Sequence, residues 1–147
     1  MLLNKNELPL VSMEFMNEVH FEDLAIINEL YELVIKYENE KNKDNENKIN
    51  KKYMQWYNHT VKHFEGEEIE MLEKGFPPYH IHKAEHENSL NLMNHVFKQW
   101  QETKDIQILK QYLTEELPKW LINHIQTMDT VTAMFLKTGL SPCSSAH

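Results

Sequence analysis

The sequence predicts an all-α chain folded as an antiparallel up-down-up-down four-helix bundle with a metal site in its core. Three observations carry this expectation. Glycine and proline are scarce, three and five among 147 residues, and strand-like alternation is rare. Apolar residues recur at steps of three and four through four long segments, the mark of one-sided helices. Histidines and acids fall on the same inward stripes, which is how bundles build metal sites from facing side chains.

Length places 1–147 in a single domain, large enough for one core and too short for two comfortable ones. Residues 1–12 read as an extended lead-in, and Ser12 is a candidate cap for a first helix running to about Tyr37. Its stripe is Met16, His20, Leu24, Ile27, Tyr31 and Val34, which sets His20 on the buried face. A run of mixed charge and asparagine, Lys41 to Lys52, reads as a solvated connection. A second helix should begin near Asp44 to Asn47 and stop at Lys74-Gly75. Its stripe is Ile49, Tyr53, Trp56, Thr60, His63, Glu67 and Met71. Gly66 within it costs about 1 kcal/mol against alanine and serves either a close approach or nothing at all.

The third helix opens after Pro77-Pro78, with proline suited to a first turn. His82, His86, Ser89, Met93, Val96 and Trp100 share its inner face. The connection from Lys74 is so short that helices two and three must be antiparallel neighbours. From about Lys104 the pattern resumes through Ile106, Leu109, Leu113, Leu117, Trp120/Leu121, His124, Met128 and Phe135, and Pro118 should bend or divide it. Gly139 and Pro142 end it, leaving 139–147 as a flexible tail.

Charge and composition exclude several classes of function. With 23 acidic against 15 basic residues the formal charge is −8, and no basic patch suits nucleic acid. No apolar run approaches the roughly 20 residues that cross a bilayer, and the start lacks a signal peptide's organisation. The chain is expected in the cytoplasm and off the membrane. Cys143, the one cysteine, excludes an internal disulfide.

The chemistry rests on histidines and acids. Four residues on a helix advance by about 40° beyond a full turn, so His63 and Glu67 share a face, as do His82 and His86. An i,i+4 pair alone is often a solvated one. Its recurrence, together with His20 and the His124 and Asp129 pair, gives five histidines and two carboxylates on four helices. A buried-face glutamate such as Glu67 needs a cation or a partner. His124 and Asp129 are the misfit, because a step of five leaves them about 140° apart on an ideal helix. A π-type turn between Ile122 and Thr130 realigns them, and an extended Asp129 rotamer is the other solution.

These motifs resemble the hemerythrin and bacteriohemerythrin family of non-haem di-iron proteins. The matches are His20, then His63-Phe64-x-x-Glu67-Glu68, Gly75-Phe76-Pro77, His82-x-x-x-His86, Trp120-Leu121-x-x-His124-Ile125 and Asp129, over roughly Met13 to Leu136. The resemblance implies two iron ions joined by an oxo or hydroxo bridge. His82, His86 and His124 would hold one, His20 and His63 the other, with Glu67 and Asp129 between them. The second iron then keeps an open position, which in that family takes O2 reversibly, in a pocket implied at Phe64, Ser89, Leu121 and Ile125. Two departures stand out. Ser89 occupies a position that is often phenylalanine in the family, implying a larger or wetter pocket, and Asn17 replaces a frequent acid. Imidazole and carboxylate would also accept manganese or zinc. His59, His80, His95 and His147 have no place in the pattern and read mainly as surface residues, although His59, one turn before His63, and His80, two residues before His82, are each also placed to serve as a spare donor or to support a ligand from behind.

The expected function is therefore O2 storage, delivery or scavenging, without enzymatic activity and with O2 as the small-molecule partner. The alternative is a sensor of O2, nitric oxide or iron status, or a redox-protective di-iron protein. Sensors commonly carry an output domain, for which this length leaves no room. A ferritin-like oxidase is disfavoured, because Glu-x-x-His occurs nowhere in the sequence.

Overall fold

Four helical rods pack side by side in the computed structural model, which describes residues 2–138. Helix α1 spans Glu14–Asn39, α2 Lys43–Glu73 and α3 Tyr79–Thr103. The fourth rod is α4 (Ile106–Gln111), a π turn (Tyr112–Glu116), α5 (Leu117–His124), a second π turn (Ile125–Asp129) and α6 (Thr130–Thr138). Short links make neighbours antiparallel: α1 packs on α2, α2 on α3, α3 on α4, and α4 back on α1. No strand occurs among the described residues.

Local chemistry sets the boundaries. The Lys-rich run is helical rather than a solvated link, because Asn42 accepts the Asn45 amide at 2.8 Å and the acids Asp44 and Glu46 suit the positive end of a helix. The connection shrinks to 40–42. Gly75 takes φ 66°, and the Phe76 and Gly75 amides close back on the Met71 and Leu72 carbonyls at 2.9 and 3.2 Å. That is a Schellman stop, and Phe76 is buried beside it. Ser12 does not cap α1, whose N-cap is Met13 without a side-chain bond. Nor does Gly66 serve a close approach: a methyl placed there would meet nothing within 4 Å.

The lead-in is pinned to the bundle. A short 3₁₀ turn, Lys5–Glu7, interrupts it, and Leu3, Leu8 and Val11 are buried with Met16, Leu24, Leu121, Ile125 and Ala133. Asn28 both accepts from the Leu3 amide and donates to its carbonyl, and Asn17 treats Val11 in the same way. The second apolar cluster is larger and holds Tyr37, Tyr53, Trp56, Trp100, Leu109 and Leu113. Outside both clusters stands a set of buried polar residues, His20, Glu67, His82, His86, His124 and Asp129 among them, which forms a polar layer.

The fourth rod departs from a single helical period. Pro118 divides it as the sequence suggests, entering α5 directly after the first π turn. A proline ring collides with the carbonyl four residues back, and a widened turn relieves that collision. After the second π turn the inward positions move by one residue. Asp129, Thr132 and Ala133 are buried, while Met128 and Phe135 are only half-buried. The tail at 139–147, with Cys143 and His147, lies outside the described residues.

Candidate metal centre

Each rod contributes to the polar layer. His20 comes from α1, His63 and Glu67 from α2, His82 and His86 from α3, and His124 from the end of α5. The π turn Ile125–Asp129 closes with Asp129, realigning it with His124 in the way the five-residue step demands. Asp129 Oδ1 stands 3.0 Å from His82 Nε2 and 3.2 Å from His124 Nε2, and its Oδ2 is 3.0 Å from His20 Nε2. Glu67 Oε1 lies 3.4 Å from His63 Nε2 and 3.5 Å from His86 Nε2. Donor atoms of His82, His86, His124 and Asp129 lie within 4.8 Å of one another, and those of His20, His63 and Glu67 do likewise. Both carboxylates sit between the two groups.

The donor set fits metal ions. A neutral imidazole has one N–H, and carboxylates only accept. His86 Nδ1 donates to Glu68 Oε2 at 3.0 Å, and His124 Nδ1 to Glu85 Oε1 at 2.7 Å. His82 Nδ1 pairs with Thr132 Oγ1 at 2.7 Å, and His63 Nδ1 donates to Asp23 Oδ2 at 2.7 Å. These outward bonds aim the Nε2 lone pairs inward, where His82 and His86 each come within 3.2 Å of His124 Nε2. The Nε2 of His63, both Glu67 oxygens, Asp129 Oδ1 and His20 Nδ1 are buried without a hydrogen-bond partner. Lone pairs converging on lone pairs in a dry core are unfavourable unless a cation stands among them.

Electrostatics agree. Burial pushes His86 down to about 2, helped by His82 and His124, which leaves it neutral and able to ligate. Burial alone would raise Asp129. The imidazoles of His124, His20 and His82 gathered around it outweigh burial and hold this carboxylate well below its ordinary range. Burial would lower His63 and His124, yet the carboxylates beside them, Glu67 and Asp23 for the first and Asp129 and Glu85 for the second, raise both, so protons and a metal ion compete for these nitrogens.

A cavity of about 30 Å³ opens beside His20 and His63. That is room for one small molecule. Phe64, Ser89 and Leu121 line it, together with Thr60, Trp120 and Met93. Phe64 also stacks on His86 with ring centroids 3.8 Å apart. Ile125 does not line the cavity. It is buried in the lead-in cluster instead, with Leu3, Leu8 and Val11.

Sequence reasoning did not single out Asp23, Glu85 or Thr132, nor give Glu68 a role, although each orients an imidazole. Only the acids' proximity to the histidine helices hinted at them. His59 is half-buried and bonded to Asp23, so it is not a plain surface residue, whereas His80 and His95 are exposed.

Fold and site together define a helical-bundle metal-binding protein whose imidazoles and carboxylates form two adjoining centres. No family model matches the chain. Curated relatives do: a bacteriohemerythrin of Aquifex aeolicus (strain VF5) is 30% identical over 136 residues, 92% of this chain and 98% of that protein. The chain belongs to the bacteriohemerythrin family. The bacteriohemerythrin of Methylococcus capsulatus (strain ATCC 33009 / NCIMB 11132 / Bath) is 27% identical over 117 residues, 80% of this chain and 82% of that protein. That of Ralstonia nicotianae (strain ATCC BAA-1114 / GMI1000) is 35% identical over 78 residues, 53% and 56% of the two chains. A crystal structure of wild-type hemerythrin superposes with a TM-score of 0.68 at 23% identity, covering 94% of this chain and 98% of that one, which shows the fold. No helix among the described residues is long and apolar enough to cross a membrane.

Proposed function

We propose that this chain is a non-haem di-iron protein that binds O2 reversibly, a binder rather than an enzyme. His82, His86 and His124 would hold one iron, His20 and His63 the other, with Glu67 and Asp129 shared. The observation that carries this reading is the asymmetry of the donors: three imidazoles converge on one side and two on the other, and the small cavity is lined by both members of the pair but, of the three, by His124 alone. When bound, a ferrous pair supplies the electrons that O2 binding draws on. The chain's own residues do the rest. Glu68, Glu85, Thr132 and Asp23 fix the imidazoles through their outer nitrogens. Phe64, Trp120, Leu121 and Met93 keep bulk water from the cavity. Storage, delivery and scavenging all follow from reversible binding.

Ser89 favours a second reading, as a sensor of O2, nitric oxide or iron status or as a redox-protective protein. Its hydroxyl borders an otherwise mostly apolar lining and gives protons and water a foothold, which shortens the life of an oxygenated form. An absorption spectrum of the iron-loaded protein, reduced, exposed to air and then evacuated, separates the two. Bands that appear in air and vanish under vacuum support the carrier. Rapid one-way conversion to an oxidised spectrum supports the sensor or protective role, and no spectral change in air defeats both.

A further inference from the structure

Outside the seven inward donors, the most unusual group of ionisable residues joins α1 to α2. Asp23 sits in the core with its carboxylate between two imidazoles: Oδ2 accepts from His63 Nδ1 at 2.7 Å, and Oδ1 bonds His59 Nδ1. His59 lies one turn before His63, reaches the surface, and turns its Nε2 toward exposed Glu22 at 3.3 Å. His86 and His124 are held differently, each by a glutamate that is itself partly open to water. Among the described residues, the outer nitrogen of His63 is the one that bonds a buried carboxylate whose other oxygen is shared with a second histidine.

We infer that Asp23 and His59 are a positioning pair for His63, in which Asp23 fixes the His63 proton on Nδ1 and His59 sets how much negative charge Asp23 lends to that ring. The inference rests on the di-iron reading and deepens it at the two-histidine centre, both of whose imidazoles line the cavity. The physics is that of a carboxylate bonded to a metal-ligating imidazole: it fixes the tautomer, orients the ring and strengthens the inner nitrogen as a donor. A stronger donor favours the more oxidised metal. His59 opposes this by drawing charge toward itself. Both His59 nitrogens face carboxylate oxygens, Nδ1 that of Asp23 and Nε2 that of Glu22, and since carboxylates only accept, both nitrogens donate. The pair is thus an anion facing a cation, with the ligand imidazole on the anion's other side. Its outer member, being at the surface, can be altered without opening the core.

The test uses the full chain in two metal forms. In zinc-loaded protein, nitrogen-15 NMR should show a protonated His63 Nδ1 whose signal moves in Asp23→Asn and disappears into exchange with solvent in Asp23→Leu. In iron-loaded protein, Asp23→Asn should shift the midpoint potential positive and His59→Gln should shift it negative, with helical circular dichroism retained. Opposite signs distinguish charge tuning from general loosening, which moves both variants the same way. His59→Gln keeps the test alive if the buried substitution disturbs folding. Potentials that stay put in both variants, or that move together, overturn the inference while a parent with two irons leaves the di-iron reading standing. A parent that takes up neither metal overturns that reading itself.

Discussion

The apolar layer around Trp100 and the polar layer around His124 are buried alike, yet only one is complete in itself. In the first, buried polar atoms are satisfied within the chain: Tyr53 donates to the Met93 carbonyl at 2.7 Å and Trp100 to Asn50 at 2.8 Å. In the second, five polar atoms have no hydrogen-bond partner. One layer holds the rods together, and the other needs something the chain does not encode. The same four rods therefore tolerate a costly layer because a separate layer stabilises them.

Breaking the comparison begins with Trp100. Trp100→Ala should cost roughly 3–5 kcal/mol, in metal-loaded and metal-free protein equally, read as a lowered urea midpoint. A loss confined to the loaded form would show that the layers are not independent. Next is removal of metal by chelation. Mass action gives about 4 kcal/mol of stabilisation when free metal is a thousand times its Kd, so the melting temperature should fall by that much stability or less. Unchanged melting after verified metal loss would mean that the polar layer is satisfied without a cation.

His82→Ala and His86→Ala should lower iron content below two per chain, by elemental analysis, while the helical circular-dichroism signal stays. Full iron retention in both would remove these residues from the ligand set. The smallest effect on stability is expected from Ser89→Phe, which fills the cavity's polar edge. It should slow autoxidation of the oxygenated protein, followed by absorbance, and leave iron content alone. An unchanged rate with an intact site would take Ser89 out of the pocket.

Much of this comparison was legible in the sequence, and the reason is period. Helical stripes at steps of three and four placed His20, Glu67, His82, His86 and Ser89 inward, and all are buried. The fourth rod escaped the same reasoning. A π turn adds one residue to the cycle, so a fixed step assigns Met128 and Phe135 to the core where Thr132 and Ala133 stand. The His124 to Asp129 mismatch exposed that turn because two metal-type residues must meet, whereas Tyr112–Glu116 carried no such constraint and went unseen. Asp23 was illegible for another reason. Beside Glu22 it has the look of a solvated acid, and its partners lie 36 and 40 residues away. The charged start of α2 was misread because a capping asparagine and first-turn acids resemble a loop when composition alone is weighed.

The lead-in also works as a ruler. Asn28 and Asn17 grip both polar groups of the Leu3 and Val11 backbones, so they read the position of the chain and not the identity of those residues. Side chains at the two grips are chosen only by the apolar slot they fill, and related apolar residues should exchange there freely. The spacing between the grips is the rigid quantity. Inserting or deleting one residue among 4–10 puts the wrong amide in one clamp, and the slack falls on the cover over Leu121 and Ile125, next to the turn that presents Asp129.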